Sequence, residues 1–110
     1  MGKDFGLPPA EREKYLLGAI IDYTRGIAAN PNDEKITSFY QTRAIAYREY
    51  GVFKLQANLR STYDKIRGIN ALKASITDLE KILAADPNRN DIATQLDLSK
   101  EKLASAIGHH

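Results

Sequence analysis

Apolar residues recur along this chain at three- and four-residue spacing, the period of an α-helix with one buried face. Tyr15, Leu16, Ala19, Ile20, Tyr23 and Ile27 form the first such stripe and predict a helix over about 9–29. Ile36, Phe39, Tyr40, Ala44 and Tyr47 predict a second over about 34–50. Val52, Leu55, Leu59, Thr62, Ile66 and Ile69 predict a third over about 52–68. Leu72, Ile76, Leu79, Ile82 and Leu83 predict a fourth over about 71–85, and Ile92, Leu96, Leu103 and Ile107 a fifth over about 90–107. The opposite face of that last helix (Asp97, Lys100, Glu101, Ser105) is polar enough to close a stack against water.

Local signals place the ends. Pro8-Pro9 is pre-organised for a first helical turn, and Glu11 and Glu13 suit the positive end of the helix dipole. Asn32 or Asp33 is the expected N-cap of the second helix. Gly51 and Gly68-Ile69-Asn70 are expected to break the chain, since glycine and asparagine tolerate positive φ. Without the second break, the third and fourth helices fuse into one rod. Gly18 and Gly26, inside the first helix, predict close approach by a neighbouring helix.

One stretch recurs. Ala19-Ile20-Ile21-Asp22-Tyr23 runs on to Ala28-Ala29-Asn30-Pro31-Asn32, and Ser75-Ile76-Thr77-Asp78-Leu79 to Ala84-Ala85-Asp86-Pro87-Asn88. Both read as amphipathic helices stopped by proline, which lacks an N–H and disfavours helix in the residue before it. A recurring helix with its own terminator is the mark of a helical repeat.

These residues resemble the tetratricopeptide repeat family, in which helix pairs of about 34 residues stack into a superhelix. Ala19, Tyr23, Gly26 and Pro31 match the pattern of that family's second helix, and Ser75, Leu79, Ile82 and Pro87 take the same spacing. Ala44, Tyr47, Gly51 and Phe53 match its first helix. The two proline-ended copies lie 56 residues apart with two predicted helices between them, where a regular array leaves one or three. The resemblance implies an all-α domain over 9–107 of about five antiparallel helices stacked as hairpins, with an irregular lead over 1–8. A four-helix bundle with one long helix is the alternative.

Charge adds a clue to partners. The net charge of +2 divides into −2 over residues 1–34, +6 over 35–73 and −2 over 74–110. The resemblance implies a ligand along the face made by first-type helices. On it Gln41, Ile45 and Arg48 point outward, joined by Arg60, Asp64 and Arg67 if the third helix is the next of that type. Arginine's planar fork binds carboxylates bidentately, so this row suits an acidic or extended partner segment. The bland reading, in which these arginines only solvate a helix face, is the commoner fate of such charges.

The basic 43–73 stretch with Tyr40, Tyr47, Tyr50 and Tyr63 offers a nucleic-acid surface as the alternative. It is disfavoured because most of those tyrosines fall on the apolar face. A designed repeat without a natural ligand is a further reading. Catalysis has little support, for there is no cysteine, and His109 and His110 after Gly108 have the look of a tag remnant. Neither a cofactor nor a metal site is implied. No apolar run reaches the ~20 residues of a membrane span. The compartment stays open, with the cytoplasm favoured, and the first residues lack a signal-peptide core, although a targeting segment removed beforehand would leave no trace. A domain that opens on half a hairpin leaves a helical face unpaired, and self-association is the expected cover.

Overall fold

The computed structural model describes residues 8–56 and 61–107, and within them the chain is all-helical. The described residues form four helices: α1 (Pro9–Ala29), α2 (Ile36–Gln56), α3 (Thr62–Ala85) and α4 (Asn90–Ile107). No helix among the described residues is long and apolar enough to cross a membrane. The expected lead over 1–7, Leu59 and Arg60 of the expected third helix, and the Gly108-His109-His110 end lie outside the described residues.

The outer boundaries follow from local chemistry. Pro8 is extended, and Pro9 occupies the first turn of α1, where its missing N–H leaves no hydrogen bond unmade. The helix stops before Asn30-Pro31, with the Asn30 N–H bonded to the Gly26 carbonyl. α3 stops the same way at Asp86-Pro87, with the Asp86 N–H on the Ile82 carbonyl. Between α1 and α2, Asp33 accepts from the Lys35 N–H at 2.7 Å and turns the chain.

The interior boundaries correct the expectation of five helices. The helix expected over 52–68 is not a separate element: residues 52–56 extend α2, and 62–68 open α3. The described residues fit the four-helix alternative, although α3, at 24 residues, is little longer than α1 and α2 at 21 each. Neither Gly51 nor Gly68-Ile69-Asn70 breaks a helix. The start of α3 is instead set at Ser61. Its hydroxyl accepts from the Asp64 N–H at 3.1 Å, while the Asp64 carboxylate accepts from the Ser61 N–H at 3.3 Å. This reciprocal pair satisfies two donors that a helix end otherwise leaves unpaired.

The glycines serve packing. A Cβ built on Gly51 would lie 2.8 Å from the Gly68 carbonyl oxygen, and one on Gly68 would lie 2.7 Å from Leu55 Cγ. α2 and α3 therefore cross with their backbones nearly touching. Gly26 likewise has the Phe39 ring 3.2 Å from where a Cβ would sit, but nothing lies within 4 Å of that point at Gly18. The close approach expected at Gly18 is not made among the described residues.

Successive helices run antiparallel, as the paired positions show. Glu13 meets Lys54 and Thr24 meets Arg43 between α1 and α2, while Lys54 meets Asp64 and Arg43 meets Asp78 between α2 and α3. Gln41 with Arg89 and Arg48 with Gln95 show α4 lying parallel to α2. Two apolar clusters result. Leu16, Ile20, Ala46, Tyr50 and Ala71 join α1, α2 and α3. Ala44, Leu79, Ile82, Ile92 and Leu96 join α2, α3 and α4. Four residues expected inside are exposed: Thr62, Tyr15 at 68%, Ile66 at 51% and Ile107 at 63%. Ile66 was in register with Val52 and Leu55 only for an unbroken helix. Tyr15 lies on the side of α1 away from α2, and Ile107 is the last residue of α4.

Candidate functional site

α2 touches all three other helices, so each of its flanks faces a different neighbour. Gln41, Ile45 and Arg48 stand at i, i+4 and i+7 on the flank toward α4. The Gln41 Oε1 accepts from Arg89 Nη2 at 3.4 Å, and Arg48 Nη1 donates to the Gln95 carbonyl at 3.4 Å. Further along the same seam Val52, Leu55, Gln56, Lys102, Ser105 and Ala106 line a recess of about 290 Å³.

Arg48 is the unusual member of this row. It is half-buried and, among the described residues, forms no ion pair with a carboxylate. Burial lowers its pKa, because a guanidinium taken from water is disfavoured, and this outweighs the opposing charge of Glu49. The buried Gln95 Oε1 in α4 also has no hydrogen-bond partner among the described residues. The seam thus holds a half-buried cation with no carboxylate in ion-pair contact among the described residues, the charge of Glu49 offsetting its burial only in part.

Asp64 and Arg67 lie elsewhere, on the α1 side of α2. Lys54 binds Asp64 Oδ1 at 3.1 Å and Glu13 Oε2 at 2.9 Å, so one ammonium joins α1, α2 and α3. The bond to Glu13 raises the Lys54 pKa, and the bond from Lys54 lowers that of Asp64. The Arg67 guanidinium sits over the rings of Tyr50 and Tyr63, 5.7 and 5.4 Å from their centres, and donates to the Tyr63 hydroxyl at 3.3 Å. Burial raises the Tyr50 pKa. A recess of about 240 Å³ opens here between Leu17, Ile20, Tyr47, Tyr50 and Arg67.

Five of the six residues therefore form two groups on opposite flanks of α2, and Arg60 lies outside the described residues. The sequence reading put the next ligand-facing helix at 52–68, whereas the parallel neighbour of α2 is α4. Gln95 and Lys102 were missed for that reason. Once the Ser61-x-x-Asp64 cap is recognised, one helix fewer separates α2 from 90–107, and the seam follows.

The strongest polar tie was also not singled out as a pair. Arg43 grips Asp78 with two bonds, Nε to Oδ2 at 2.8 Å and Nη2 to Oδ1 at 2.7 Å, and its Nη1 donates to Thr24 at 3.1 Å. The bond to Asp78 raises the Arg43 pKa, and its guanidinium also lies 5.5 Å from the ring centres of both Tyr40 and Tyr47. Nearby, Ser75 Oγ donates to the Ala44 carbonyl at 2.7 Å. Its single proton is then engaged, so Ser99 is the donor in the 2.8 Å contact between the two hydroxyls. Both clusters hold helices together. No group of three or more histidine, cysteine, aspartate or glutamate side chains among the described residues is placed to hold a metal ion.

Compared with protein-family models, with curated proteins and with solved structures, the chain has no match in any of the three.

Proposed function

We propose that this chain is a non-catalytic protein-binding scaffold whose helices stack as tetratricopeptide-like hairpins and whose α2–α4 seam takes an acidic or extended partner segment. The order of the helices supports the stacking. Along the described residues a single helix, α2, separates the two proline-ended copies, α1 and α3, and α4 lies parallel to α2. One observation carries the binding reading: the half-buried Arg48 guanidinium has no carboxylate partner among the described residues. A carboxylate from outside would supply the missing charge and a fork-shaped pair of acceptors.

The nucleic-acid reading gains less from the basic centre of the chain. Arg43 and Lys54, two of its cations, are already engaged by Asp78, Glu13 and Asp64. The test is titration with a glutamate-rich peptide, followed by anisotropy, for the native chain and Arg48→Glu. Charge reversal is expected to weaken binding by roughly tenfold or more, as for a close charge pair lost from an interface. Helical content and thermal midpoint should stay nearly unchanged. Undiminished binding in Arg48→Glu would remove the seam as the site. Binding of generic RNA with a steep salt slope would favour the nucleic-acid alternative.

A further inference from the structure

The face of α1 turned away from α2 carries an exposed stripe with an internal symmetry. Glu11, Lys14, Tyr15, Ile21, Asp22 and Arg25 are all exposed, and Gly18 lies at the centre of the run. Counted from Gly18, Tyr15 and Ile21 stand at minus and plus three, Lys14 and Asp22 at minus and plus four, Glu11 and Arg25 at minus and plus seven. Each pair of charges is opposite in sign. Offsets of three, four and seven are the spacings that share one helix face.

We propose that this stripe is a docking surface for a second copy of the chain, packed as an antiparallel α1–α1 pair about a two-fold axis at Gly18. In an antiparallel pair centred there, each residue comes level with the one at the opposite offset on its partner. Tyr15 then lies level with Ile21, Lys14 with Asp22 and Glu11 with Arg25, and each pairing occurs twice. A symmetric interface must be complementary to itself, and this stripe is.

Three observations support that occupant. Among the described residues nothing lies within 4 Å of where a Gly18 Cβ would be, so this glycine relieves no crowding among them, although it costs roughly 1 kcal/mol of helix propensity. A shallow cleft of about 460 Å³ runs beside it, lined by Lys14, Tyr15, Gly18, Ala19, Asp22 and Tyr23. Tyr15 and Ile21 remain 68% and 48% exposed on its flanks. Among the described residues, moreover, none of Glu11, Lys14, Asp22 and Arg25 forms an ion pair. Asp78, which stands where Asp22 stands in the repeated stretch, takes a cation from the helix packed against it.

The test is charge exchange read by sedimentation equilibrium on the full chain, whose monomer is 12.3 kDa. The native chain is expected to dimerise with rising concentration. Lys14→Asp and Asp22→Lys each place like charges opposite one another twice, and each should raise the dissociation constant by roughly tenfold or more. The two variants mixed restore opposite charges and should recover association, as should the double variant on its own. Circular dichroism checks that these exposed substitutions leave the helices intact. A native chain that stays monomeric throughout overturns the proposal. So does a dimer indifferent to the single reversals, or single variants that fail to associate when mixed.

Discussion

Gly51 and Gly68 face each other across the α2–α3 crossing, and each leaves room for the other's backbone. A Cβ at Gly51 would come within 2.8 Å of the Gly68 carbonyl oxygen and 2.9 Å of Leu72 Cγ, while one at Gly68 would come within 3.0 Å of the Gly51 carbonyl oxygen. Backbone atoms cannot rotate aside as the end of a side chain can, so an added methyl has to push the helices apart. Leu72, fully buried beside Gly51, would lose contact as the gap opened.

Gly51→Ala and Gly68→Ala are therefore expected to destabilise the chain, although alanine is the better helix former. Overpacking costs roughly 1–3 kcal/mol, against a propensity gain of about 1. Gly18→Ala, at an open position, should stabilise the monomer by about 0.5–1 kcal/mol. Urea unfolding of all three at low protein concentration checks the contrast. Equal effects at the three positions would remove the crossing from the account.

Arg43 and Asp78 form a pair whose side chains are 15% and 5% exposed. Removing one partner strands the other charge away from water. Asp78→Ala is expected to cost roughly 3–5 kcal/mol, whereas the double change Arg43→Met with Asp78→Leu should cost much less than the sum of its two single changes. A double-mutant cycle by denaturant unfolding measures the difference. Additive effects would mean that the two groups do not depend on one another.

Acid should loosen the junction of α1, α2 and α3. The Asp64 pKa is lowered first by the Lys54 ammonium and then by the Ser61 N–H. A carboxylate whose folded pKa is lowered contributes stability that is complete above its unfolded value, about 4, and is lost as pH falls through the folded value. The thermal midpoint should therefore fall below pH of about 4, and Asp64→Asn should flatten that fall. The variant should be less stable near neutrality and converge on the native chain in acid. Curves that run parallel over the whole range would show that Asp64 does not carry the effect.

What the sequence determined on its own is what local chemistry controls. The Asx-Pro stops after Ala29 and Ala85 end α1 and α3, and Pro8-Pro9 opens α1. Proline acts through its own missing N–H and ring, whatever surrounds it. Ile20 and Leu79 face inward as their spacing predicts. A capping box was also legible at Ser61-x-x-Asp64, and it outweighs the glycine signals on either side of it.

Only the tertiary structure decided what Gly51 and Gly68 do. Glycine within a helix costs only about 1 kcal/mol, so burial of a neighbour such as Leu72 can reverse the local preference and turn two apparent breaks into a crossing. The same holds for the charges. Asp22 and Asp78 occupy equivalent places in a repeated stretch, yet one is exposed and the other is 3% exposed and paired. Their difference comes from which helices pack on either side, and that depends on contacts far apart in the chain rather than on neighbours in sequence.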